Sequence, residues 1–204
     1  MLRDILSGMA AGLLVSLGGA VFLSCDSKYI GALMFCVGLT FICMRGYALF
    51  TGKVGYIPGS HTKADVQLLF ACLLGNLIGC VITAYALRCA TPSVADNALA
   101  LCTAKLEQTT AQTFIRAIFC GMLVYLAVAV YRDKGSVIGV LLGIPAFILS
   151  GFEHSIADMF YFEASGIVSL EAFGFIWIVL FGNALGSILL FITEREIKKE
   201  KVNA

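Results

Sequence analysis

Charge is what this sequence has least of. Only 13% of its 204 residues are charged, 14 Lys or Arg and 13 Asp or Glu, against about 25% in an average soluble domain. So few charges cannot cover the surface of a water-soluble globule of this size, which excludes most soluble folds. No sign predominates either: the net charge is +1. Without a basic stripe of Lys and Arg, nucleic acid is not a partner. The eight cysteines form no CxxC pair, and neither His61 nor His154 has a second His or Cys three or four residues on, so no metal site and no cofactor is expected. Most cysteines lie inside apolar runs and read as free buried thiols. No nucleophile, metal cluster or carboxylate pair marks an enzyme. The apolar run 5–25 has no small-residue cleavage site and is too long for a signal-peptide core, so it reads as a first span.

What fills the space is apolar: 60% of residues are hydrophobic, against roughly 45–50% ordinarily. Charge-free stretches cover 5–25, 29–44, 66–87, 117–131, 135–152 and 172–193. At about 20 residues per crossing the length holds six spans and no appended soluble domain. The second stretch stops at Arg45, breaks around Leu49 to Lys53 and runs on to Pro58. The fifth stops at Glu153 and runs on to Phe162. Broken helices at corresponding places in two halves point to a transport site, because free backbone polar groups at that depth must line a cavity.

The halves share a Gly-Asn-x-x-Gly element, Gly75 to Gly79 and Gly182 to Gly186, at an offset of 107 that also carries Thr51 onto Asp158. Three spans per copy is odd, so the copies, about 1–90 and 108–193, cross in opposite senses as an inverted 3+3 repeat. The spacing of Gly8 and Gly12, Gly75 and Gly79, Gly135 and Gly139, and Gly182 and Gly186 suits close helix packing. With the N-terminus inside, nine Lys or Arg lie on the inner side and four, Lys28, Arg88, Lys105 and Arg116, on the outer. Both termini are then cytoplasmic, and 194–204 is a solvated tail in a multi-pass protein of the cell membrane.

His154 is the sharpest single residue, since an imidazole inside an interrupted span marks a substrate or proton path by default. Glu153 beside it points elsewhere in any regular backbone and ties down the break.

Ser150-Gly151-Phe152-Glu153-His154-Ser155-Ile156-Ala157-Asp158-Met159-Phe160 resembles the SGFEHSxANMF signature of the formate/nitrite transporter family, and Leu49-Phe50-Thr51-Gly52 resembles its LFTG element. The resemblance extends over nearly the whole chain. It implies an all-α, aquaporin-like membrane protein of six helices with the second and fifth broken, assembled as a homopentamer of independent pores. It implies that His154 is the central pore histidine, that Thr51 lies beside it with Phe50, and that Phe35, Leu39 and Phe147 form apolar constrictions. Phe35 and Leu39, four apart, do share a helix face. Lys105 aligns with a vestibule lysine, although by itself it reads as an outer-loop charge.

The implied function is a channel or transporter for a small monovalent weak acid: formate first, with nitrite, hydrosulfide, acetate or lactate also open. A bare anion at an apolar constriction faces an idealised desolvation cost of order 20 kcal/mol. Neutralising an acid with a pKa near 4 at pH 7 costs only about 4 kcal/mol. The implied mechanism has Lys105 attracting the anion, passage as the neutral acid, and proton exchange near His154. Four positions depart from the family pattern: Asp158 replaces an asparagine, Lys53 another, Ala48 an acid, and Arg45 lies within the second span facing away from Leu39. The chain is shorter than typical members, and a less regulated pore is expected. An aquaporin-like pore for a neutral solute is the alternative; His154 and the lack of twin Asn-Pro-Ala motifs speak against it.

Overall fold

A computed structural model describes residues 1–60 and 62–203. His61 and residue 204 lie outside the described residues, as do the side chains at 60 and 200–203, Lys201 of the inner charge count among them. The fold is all-helical: α1 (Leu2–Ser24), α2 (Lys28–Arg45), α3 (Phe50–Lys53), a 3-10 turn and the short α4 (Ile57–Ser60), α5 (Lys63–Ala90), α6 (Pro92–Leu106), α7 (Thr110–Lys134), α8 (Ile138–Leu149), α9 (Ser155–Ser165) and α10 (Leu170–Asn203). The polar punctuation sets the ends. Thr62 with Asp65 and Thr109 with Gln112 form reciprocal capping boxes at the starts of α5 and α7, each satisfying two otherwise orphaned backbone amides.

Among the described residues, α1, α2, α5, α7 and α10 are long and apolar enough to cross a membrane. The fifth expected span is two shorter helices, α8 of 12 residues and α9 of 11. The stretch 92–106, expected to be an outer loop, is helix α6. Its Val94, Ala98, Cys102 and Lys105 form a buried stripe at helical spacing, packed on α9. Arg45 sits exposed in the last turn of α2, where a cation suits the helix dipole. The core is apolar, but large apolar side chains also face outward, with Phe70, Leu142 and Phe181 more than 60% exposed, while the polar Asn76, Asn183, Glu153 and Asp158 are buried. All eight thiols are free.

Backbones touch where glycines allow it. A β-carbon on Gly12 or Gly75 would overlap a carbonyl oxygen of the facing helix, so at these positions α1 and α5 meet backbone to backbone. Gly121 and Gly186 do the same for α7 and α10. The pairing of Gly135 with Gly139 does not hold. Gly135 has nothing within 4 Å of a built β-carbon and ends α7 at φ 64°.

Candidate functional site

Both helix breaks are built alike. Gly46 after α2 and Gly151 after α8 each adopt φ 68°, a conformation that glycine reaches without cost. The following amides, Tyr47 N–H and Phe152 N–H, donate back to Ile42 O at 3.0 Å and Phe147 O at 2.9 Å, closing each helix as a Schellman turn. The extended segments that follow are held by the two buried asparagines. Asn76 accepts from Phe50 N–H at 2.9 Å and donates to Ala48 O at 2.9 Å and Gly8 O at 2.8 Å. Asn183 accepts from Ser155 N–H at 2.9 Å and donates to Glu153 O and Ala117 O, both at 2.8 Å. Each side chain thereby satisfies backbone groups that water cannot reach.

The two clamps are spaced differently from the asparagines that form them. The asparagines are 107 apart, but the groups they hold, Phe50 and Ser155, or Ala48 and Glu153, are 105 apart. By the spacing of the clamped groups Thr51 lines up with Ile156, where the spacing of the asparagines gives Asp158.

His154 is the N-cap of α9: its Nδ1 accepts from Ala157 N–H at 3.1 Å. A nitrogen that accepts carries no proton, so the hydrogen-bond network assigns the neutral tautomer with the proton on Nε2. Nε2 lies 2.9 Å from Thr51 Oγ1 and donates to it. Thr51 is 1% and His154 4% exposed. Phe147 stacks on His154, ring centroids 5.7 Å apart, and meets Phe35 edge-on at 6.2 Å. Leu39 lies one turn along α2 from Phe35, also buried.

Two cavities flank this group at opposite ends of α2 and α7. One, of about 230 Å³, is lined by Phe147, His154, Glu153, Asp158 and Lys105, with Lys28 and Arg116 among its charges. The other, of about 430 Å³, is lined by Leu39, Leu49 and Gly52, with Lys53 and Arg132. Arg132 lies over the Tyr56 ring at 3.9 Å.

Lys105 is not the free cation that its alignment suggested. Its Nζ is paired with Glu153 and, at 3.0 Å, with Asp158 Oδ1. Gln108 Nε2 donates to the other Glu153 oxygen at 2.7 Å. Glu153 thus binds the break to the end of α6 through its side chain and to α10 through its carbonyl, and it also lines the cavity beside His154. The structure brings two carboxylates together on one lysine where the sequence suggested no carboxylate pair. Sequence reasoning missed Asn76 and Asn183 as clamps, although the repeated Gly-Asn-x-x-Gly carried them. It also missed Arg116 and Lys28 at the cavity. Among the described residues no group of His, Cys, Asp and Glu is placed to hold a metal ion.

A family model described as formate/nitrite transporter matches residues 1–194. The chain is 32% identical over 187 residues to a probable formate transporter of Methanothermobacter thermautotrophicus, an alignment covering 78% of this chain and 67% of that one. It is 31% identical over 172 residues to the nitrite transporter NirC of Escherichia coli (strain K12), covering 78% and 63%. The chain therefore spans about two thirds of the length of these relatives. A solved pentameric formate channel with formate bound superposes with a TM-score of 0.77 over 99% of this chain and 97% of that one, at 23% identity; the likeness is one of fold.

Proposed function

The chain belongs to the formate/nitrite transporter family, and on that premise we propose that it conducts a small monovalent weak acid, formate first, across the cell membrane as the neutral acid. The observation that carries this reading is the stack of Phe35, Phe147, His154 and Thr51 between two cavities, each with basic residues among its lining. A pathway with cations at both ends and an apolar middle attracts an anion yet resists passing it charged. At the first cavity, Lys28 and Arg116 are the cations not paired with its carboxylates, and they share with Lys105 the attraction assigned to it; at the second, Lys53 and Arg132 serve. Proton exchange belongs in the first cavity, beside His154, with Thr51 accepting from Nε2 and keeping its own hydroxyl proton for the substrate.

The proposed topology has six crossings in an inverted 3+3 repeat, the second ending in the break before α3 and the fifth formed by α8 and α9. The matching clamps of Asn76 and Asn183 support it. Both termini are cytoplasmic in this topology, which puts the Lys28 cavity outside. A homopentamer is proposed from the likeness to the pentameric channel; the exposed ladder of Phe173, Trp177 and Phe181 on α10 suits lipid or a neighbouring protomer.

The test is flux into liposomes carrying the purified protein, over formate, nitrite, hydrosulfide, acetate and lactate, with a pH dye inside. Formate uptake that acidifies the lumen is expected. Transport of glycerol as fast as any acid would reject the proposal in favour of a neutral-solute pore.

A further inference from the structure

Asp158 is the residue of this site left without a task. Its Oδ1 meets Lys105 Nζ at 3.0 Å, while its Oδ2 is buried with no hydrogen-bond partner. The residue is 1% exposed, yet it lines the cavity shared by His154 and Phe147. Both oxygens of Glu153 are engaged, one by Lys105 and one by Gln108. Two carboxylates on one ammonium leave one negative charge over, and the bare oxygen belongs to Asp158. A buried carboxylate oxygen without a partner is relieved by taking a proton. The other groups facing it are Lys105 and Cys102 from α6, Cys120 from α7, Glu153 at the break, and Tyr161 and His154 on α9. Thiols and a phenol of ordinary acidity are uncharged near neutral pH, so among the described residues Lys105 is the cation in direct contact with it, while Lys28 and Arg116 line the same cavity without touching it. His154 is poorly placed for the same duty. A second proton would have to sit on Nδ1, where the Ala157 N–H already points.

We propose that Asp158 is the proton carrier of this pore: it gives the proton held on Oδ2 to the anion in the cavity. The O–H bond of the carboxyl breaks, the O–H bond of the substrate acid forms, and no electrons change hands. The neutral acid passes Phe147 and Phe35, and hydronium arriving at the cavity mouth from the outer solution returns a proton to Asp158 and leaves as water. One proton crosses with each anion, so the cycle moves no net charge. This inference rests on the transport reading above.

The experiment is formate flux in liposomes, with lumenal pH recorded, as the outer pH is stepped from 7.5 to 5.5. The wild type is expected to speed up towards tenfold per pH unit while protonation limits the rate. Asp158→Asn, close in shape and able to keep the Lys105 contact, is expected either to flatten that profile or to stop the flux. Asp158→Glu, which returns an ionisable oxygen, is expected to bring the steep profile back. An Asp158→Asn protein that keeps the wild-type profile and proton uptake overturns the proposal; so does an Asp158→Glu protein of intact assembly that fails to restore the profile. Size-exclusion chromatography of each variant checks assembly. No wild-type formate flux at any pH would instead fault the transport reading.

Discussion

The amide of Ala157 donates to Nδ1 of His154 at 3.1 Å. That one hydrogen bond makes the histidine the cap of α9 and fixes which nitrogen bears the proton. In solid-state NMR at neutral pH, the 15N shifts of His154 are expected to show a protonated Nε2 and a bare Nδ1. The opposite tautomer would remove the basis for assigning Nε2–H to Thr51.

Asn183 should be worth more than its size suggests. Asn183→Ala leaves Ser155 N–H, Glu153 O and Ala117 O without their partner. Unsatisfied buried groups cost about 1–3 kcal/mol each. Detergent-purified Asn183→Ala protein is expected to unfold at a clearly lower temperature, and Asn76→Ala likewise. Unchanged unfolding would mean that the breaks are held by something else.

Two glycines of α10 make a matched pair. A β-carbon on Gly186 would overlap Ile118 O, while one on Gly174 would meet nothing within 4 Å. Gly186→Ala is expected to force α7 and α10 apart and lower the unfolding temperature. Gly174→Ala should be neutral or stabilise by about 0.5–1 kcal/mol, since alanine is the better helix former. Equal effects at the two sites would contradict backbone contact at Gly186.

Lys105 should be least tolerant of change when its acids remain. Lys105→Met strands Glu153 and Asp158 as buried carboxylates, and breaking a buried pair from one side costs about 3–5 kcal/mol. Adding Glu153→Gln and Asp158→Asn to Lys105→Met is expected to recover most of the lost thermal stability. If the single and triple variants unfold together, the cluster is not the source of the loss.

Phe147 touches both Phe35 and His154 through its ring. Phe147→Ala is expected to raise the liposome rate for lactate relative to formate, because the wider gap admits the larger acid. Phe147→Trp is expected to slow every acid. A substrate ranking unmoved by either change would place the selective constriction elsewhere.

Much of the architecture was legible from residue order alone. Charge-free runs located the long helices, because a charge in lipid is costly and marks an end or a function. Gly46 and Gly151 fall where the breaks lie, and the two motifs named His154 and Thr51. The stripe of Val94, Ala98, Cys102 and Lys105 was also there to be read as a helix with Lys105 on its buried face. Periodicity identifies which face is buried, but it says nothing of what that face meets. The pairing of Lys105 with Glu153 spans 48 positions and that of Thr51 with His154 spans 103. Such meetings are decided when whole helices pack. Reading along the chain, Asp158 was a departure from a motif and Lys105 a loop charge. Tertiary structure alone brought them together in the interior with Glu153, since polar groups taken out of water must find each other across whatever elements the packing brings together.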